Sequence, residues 1–144
     1  GDETYTNFSF KVNFDNPDDL GSNDNPEHII GFRSRNEDDG YRLSFYPKTG
    51  YWELSLWSGI DNTSLISSDT IATKARRTEP GASNEVQLTA IGNIGYLTIN
   101  NVYSTTLDLS KRTYSGKIWI ATDYNNSARD GYRTRYSDME ISIP

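Results

Sequence analysis

Residues 40–57, GYRLSFYPKTGYWELSLW, alternate so regularly that they read as two strands joined by a tight turn. In the first strand Tyr41, Leu43 and Phe45 share one side, while Arg42, Ser44 and Tyr46 share the other. PKTG is a short hairpin loop with Gly50 available for a positive φ. The returning strand places Trp52, Leu54 and Leu56 with the first apolar set and turns Tyr51, Glu53, Ser55 and Trp57 outward. Just upstream, HIIGFRSR (28–35) adds a third strand, with Ile30 and Phe32 expected inward and Arg33 and Arg35 outward. The result is a meander with one consistent apolar face. Aromatic residues nevertheless fall on both faces, so one is core and the other needs an explanation.

The same period of two governs the rest of the chain. FSFKVNF (8–14) sets Phe8, Phe10, Val12 and Phe14 on one face. DNPDDLGSNDNPE (15–27) reads as a long loop from its prolines, acids and amides. Residues 58–83 lack a clean period and read as loops with one or two short edge strands near Leu65 and Ile71. Alternation resumes with Val86, Leu88 and Ala90 and continues through Leu97 and Ile99, where Asn100 and Asn101 form a two-residue hairpin signal. GKIWIATDY (116–124) buries Ile118, Ile120 and Thr122 and turns Trp119 outward. RYSDMEISI (135–143) changes parity between Tyr136 and Met139, which predicts a bulge, with Met139, Ile141 and Ile143 inward. Roughly nine to eleven strands and no amphipathic helix predict an all-β, antiparallel sandwich of two sheets in one domain spanning residues 1–144.

The bulk properties set bounds on function. A chain of 144 residues is long enough to bury a core without staples, and the absence of cysteine excludes disulfides and thiolate metal sites. A net charge of -6 argues against a nucleic-acid partner, which requires a concentrated positive field. No segment is apolar for long enough to insert in a membrane as a helix. The chain is expected to begin after any targeting signal, and its Tyr, Thr, Ser, Asn and Asp content suits an extracellular or cell-surface β-domain.

The order FSFKVNF, IIGFRSRNEDDGYRLSFYPKTGYWELSLW, NEVQLTAIGNIGYLTINNV, LDLSKRTYSGKIWIATD and RYSDMEISI resembles the concanavalin A-like lectin/glucanase superfamily. It is similar in particular to laminin-G-like jelly rolls, levan-binding-type carbohydrate-binding modules and 3-keto-disaccharide hydrolase-like domains. The resemblance covers nearly the whole chain, and it implies a jelly-roll sandwich. It implies function by analogy only, because this fold hosts lectins, hydrolases and interaction domains.

Strand parity gathers Arg33, Arg35, Arg42, Tyr46, Tyr51, Glu53 and Trp57 on the outer meander face, and Trp119 is a further outward ring. Aromatic rings stack on the apolar faces of sugars while Arg and Glu hydrogen-bond hydroxyls, so this mixture suits a polysaccharide or glycoconjugate. The plainer reading is that Tyr and Trp favour strands and Arg covers them. Asp15, Asp18, Asp19 and Asp24 could supply oxygens to a structural calcium, against the plainer reading of solvated loop carboxylates; no other cofactor is expected.

Catalysis is weakly encoded. The glucanases of the superfamily carry Glu-x-Asp-x-Glu on one strand, and here Asp138 and Glu140 stand without the leading acid, which is Tyr136. The single histidine, His28, opens a strand with no local sign of a triad. KARRTE (74–79) and ARDGYRTRY (128–136) are basic spots, with Arg129, Arg133 and Arg135 as candidates for an anionic glycan. The expected function is therefore non-catalytic glycan recognition. The alternative is a protein-interaction or self-assembly module, and a disaccharide hydrolase is the third.

Overall fold

The structure is a computed structural model, and it describes residues 3–17, 25–124 and 135–144. The described strands are β1 (Phe8–Asp15), β2 (Pro26–Asn36), β3 (Asp39–Tyr46), β4 (Tyr51–Ser58), β5 (Thr63–Thr70), β6 (Ser83–Ile91), β7 (Ile94–Ile99), β8 (Tyr103–Asp108), β9 (Lys117–Tyr124) and β10 (Arg135–Ser142). They form two antiparallel five-stranded sheets, in the orders β10-β1-β6-β7-β8 and β5-β4-β3-β2-β9. The fold is thus the expected all-β two-sheet sandwich.

Period-two patterning places the core between the sheets. Phe8, Phe10, Val12, Phe14, Val86, Leu88, Ala90, Leu97 and Ile99 of one sheet meet Ile30, Phe32, Tyr41, Leu43, Phe45, Trp52 and Leu54 of the other. A one-residue slip in any of these strands would move its apolar set into water. Turn chemistry fixes the registers. Asn100 and Asn101 have φ of 53° and 56°, the double left-handed conformation of a two-residue hairpin. Gly50, at φ 81°, has no room for a Cβ, which would meet Ile71 O at 2.6 Å. The guanidinium of Arg76 fastens that same β3–β4 turn by donating to the carbonyls of Pro47 and Lys48 at 3.1 and 2.9 Å.

Two expectations need correction. Arg33 does not face outward: it is fully buried. The register of β2 slips after Phe32, and Arg33 takes φ 48°, so the bulge swings its side chain inward. There the guanidinium donates to Thr6 O at 3.0 Å and Arg112 O at 2.8 Å, tying the segment before β1 and the segment before β9 to the bulge. No carboxylate pairs with it among the described residues, and burial lowers its pKa.

β10 does contain the expected bulge, at Asp138 with φ 52°. Yet Met139, Ile141 and Ile143 are 53%, 39% and 70% exposed rather than inward and covered. β10 and β9 are the edge strands of their sheets, and an open cleft of about 290 Å³ separates them, lined by Phe10, Ile118, Ile120, Met139 and Ile141. The opposite flank is closed by Trp52 Nε1, which donates to Tyr103 OH at 3.1 Å; that hydroxyl in turn donates to Asp69 at 3.0 Å.

Residues 58–83 hold one eight-residue edge strand, β5, around Leu65 as expected, followed by the buried Ile71. Its exposed edge and a register shift beside Leu54 and Ser55 remove the burial alternation that sequence reading depends on.

Candidate functional site

The outer face of the β5-β4-β3-β2-β9 sheet is built from cross-strand rows. Trp119, Gly31, Arg42, Ser55 and Leu65 lie in one row. The next holds Ala121, Ile29, Ser44, Glu53 and Ser68, and beyond it come Tyr46, Tyr51 and Thr70. Trp57 stands at the other end, opposite Gly40 and Thr63. Ile29 and Ser44 are buried in the middle, which leaves two aromatic ends.

At the tryptophan end, the Arg42 guanidinium carbon lies 3.7 Å from the Trp57 ring centroid and 5.2 Å from that of Trp119. Such contacts stabilise by roughly 0.5–2 kcal/mol, rising as the cation is desolvated. Arg42 also donates to Glu37 O at 2.9 Å and lies 3.7 Å from Asp38. The indoles are fixed as well, since Trp57 Nε1 donates to Ser55 Oγ at 3.0 Å and Trp119 Nε1 to Ser34 Oγ at 3.2 Å. Trp119 can lie flat only because its row neighbour is Gly31, where a Cβ would stand 1.9 Å from Trp119 Cε2.

At the tyrosine end, Tyr46 and Tyr51 have centroids 5.9 Å apart with planes tilted by 36°. The Tyr46 hydroxyl donates to Glu27 at 2.9 Å and the Tyr51 hydroxyl to Glu53 at 3.0 Å. The Tyr51 pKa is raised. A hydrogen bond with Ser68 lowers it, but desolvation and the bonded, negative Glu53 together outweigh that. This end therefore presents two half-buried rings, two carboxylates and the serine hydroxyls of the adjoining row.

The structure thus brings Arg42, Tyr46, Tyr51, Glu53, Trp57 and Trp119 onto one face. It leaves out Arg33, buried as described, and Arg35, whose exposed guanidinium lies 3.9 Å from Asp39 and 5.4 Å from the Tyr114 ring. Glu27 joins the face because β2 starts at Pro26, inside the segment read as loop. Alternation counted back from His28 would have found it.

The remaining candidates lie elsewhere. Asp15 accepts a hydrogen bond from Ser83, and among the described residues no group of three His, Cys, Asp or Glu converges on a metal position. Asp18, Asp19, Asp24, Arg129 and Arg133 fall outside the described residues, as does the side chain of Arg135. Asp138 accepts from Asn13 at 3.0 Å and Glu140 pairs with Lys11 at 3.5 Å, both on the other sheet. His28 is a core residue stacked on Phe14 at 4.5 Å, and burial lowers its pKa to about 3.

No protein-family model and no curated protein matches the chain. Solved structures do. The carbohydrate-binding module CBM66 from Bacillus subtilis is similar with a TM-score of 0.71 at 10% identity, over 96% of this chain and 76% of that one. Sheep galectin-11 in complex with glycerol gives 0.59 at 14% identity, over 99% and 98%. Lactose- and MES-liganded congerin II gives 0.64 at 7% identity, over 93% and 90%. At these identities the likeness is one of fold: the chain shares their two-sheet jelly-roll β-sandwich.

Proposed function

We propose that this domain is a non-catalytic, extracytoplasmic carbohydrate-binding module that recognises a polysaccharide or glycoconjugate on its meander face. The observation that carries the reading is the tyrosine end, where Tyr46 and Tyr51 stand beside Glu27 and Glu53. Ring faces take the C–H surfaces of a sugar, and carboxylates accept pairs of its hydroxyl hydrogens. The fold resembles that of the carbohydrate-binding module CBM66 and of lactose-liganded congerin II, which supports the reading. A glycan array probed with wild-type protein and with the Tyr46→Ala/Tyr51→Ala variant tests it. Binding of at least one glycan class that disappears in the variant is expected. Binding unchanged in the variant would move the site elsewhere, and a silent array would remove the function.

A second reading, self-assembly, is favoured by the open β9/β10 flank and its exposed Tyr136, Met139 and Ile141. Two unpaired strand edges with apolar side chains are a template for another chain. Sedimentation would then show a dimer that Ile141→Lys dissociates. A monomer at high protein concentration would exclude that reading.

A further inference from the structure

The tyrosine end has a sign of charge as well as a shape. In the row Ala121, Ile29, Ser44, Glu53 and Ser68, Glu53 is the one charged residue. Among the described residues it makes no ion pair. Arg42 is its diagonal neighbour across the β3–β4 pair, because Arg42 faces Ser55, two residues along. The Arg42 guanidinium is drawn the other way, however, toward Glu37 O, Asp38 and the two indoles. Glu53 accepts the Tyr51 hydroxyl on one oxygen, and a carboxylate has two. No cation lies over the Tyr51 ring among the described residues. A π face beside an acceptor-only anion is the environment that attracts an organic cation.

Resting on the glycan reading above, we infer that the sugar unit held at the tyrosine end is an amino sugar. Its ammonium lies against the Tyr46 and Tyr51 rings, with Glu53 as counter-ion. This reverses the sign of the anionic-glycan alternative attached to Arg129, Arg133 and Arg135.

The test compares short β-1,4-linked glucosamine oligomers with their fully N-acetylated counterparts by titration calorimetry at low and high salt. The two series share a backbone and differ at the C2 nitrogen of each unit, an ammonium in one and a neutral acetamide in the other. The glucosamine series is expected to bind at least ~10-fold more tightly, with a preference that shrinks as salt screens it. Glu53→Gln, which keeps shape and removes charge, should erase the preference. Glu140→Gln on the other sheet should leave it intact, which separates local recognition from general attraction to an acidic protein. Equal binding of the two series, or equal effects of the two substitutions, would overturn the amino-sugar inference while leaving glycan binding in place. If neither series binds but a neutral or acidic glycan does, the inference falls and the glycan reading stands. If no glycan binds at all, the reading beneath it falls too.

Discussion

At one end of the meander face Trp57 and Trp119 clasp the Arg42 guanidinium, whereas at the other Tyr46 and Tyr51 lean together with their hydroxyls on Glu27 and Glu53. Both ends look alike in sequence: outward aromatics beside a charge on alternating strands. They differ in what the rings have already spent. The indole faces are occupied by a cation and their N–H groups are bonded to serines, so that end contributes to stability. The tyrosine end keeps a carboxylate beside a ring on which no described cation sits. Counting outward aromatics therefore overestimates binding surface, and asking what already covers them corrects the count.

Both ends rest on one packed core, and the buried His28 sets where that core gives way in acid. It pairs with Phe45 beneath the tyrosine end, and neither ring nitrogen has a hydrogen-bond partner among the described residues. Its folded-state pKa of about 3 lies below the unfolded value, so the unfolded chain takes up a proton first as pH falls. Stability from this group is complete above about pH 6.5 and drains away down to about pH 3, by a total on the order of 4–5 kcal/mol. Urea unfolding across that range should show the loss. In His28→Leu the slope should flatten, and any glycan binding lost in acid should return with the fold.

Gly31→Ala attacks the tryptophan end from below. A methyl group where Trp119 now lies forces the indole off its seat, costing roughly 1–3 kcal/mol. A lowered melting temperature and a red-shifted tryptophan emission should accompany it. Arg42→Ala removes the clasp while leaving the seat. We expect a smaller loss, about 1 kcal/mol, with similar fluorescence changes and glycan affinity affected less than by changes at Tyr51. Glu53→Gln should leave the melting temperature within the range of an ordinary surface substitution, about 0.5 kcal/mol either way. A large stability loss there would mean that the tyrosine end, too, is structural.

How much of this was legible follows from how local each cause is. The meander and its core face needed only side-chain parity, and Trp52, Leu54, Tyr41 and Phe45 are where alternation puts them. The Asn100–Asn101 turn and the Asp138 bulge were also readable, one from residue type and the other from a change of parity. Arg33 was not, because an extra residue in β2 reverses the faces and leaves no mark in composition. The exposure of Met139 and Ile141 depends on whether an opposing sheet covers the last strand, which parity cannot report. In the site, the outward set on β3 and β4 was legible, but the clasp on Arg42 joins β3, β4 and β9. Only the assembled sheet shows that Trp119 lies beside Gly31 and within reach of Arg42.

The difference between the two ends is tested most directly by measuring melting temperature and glycan affinity together for two variants, Tyr51→Ala and Gly31→Ala. The account predicts that Tyr51→Ala melts within a few degrees of wild type yet binds at least ~10-fold more weakly, while Gly31→Ala melts markedly lower and, below its melting temperature, keeps most of its affinity. The reverse pattern, with affinity lost in Gly31→Ala and kept in Tyr51→Ala, would contradict it and place the binding surface on the tryptophans.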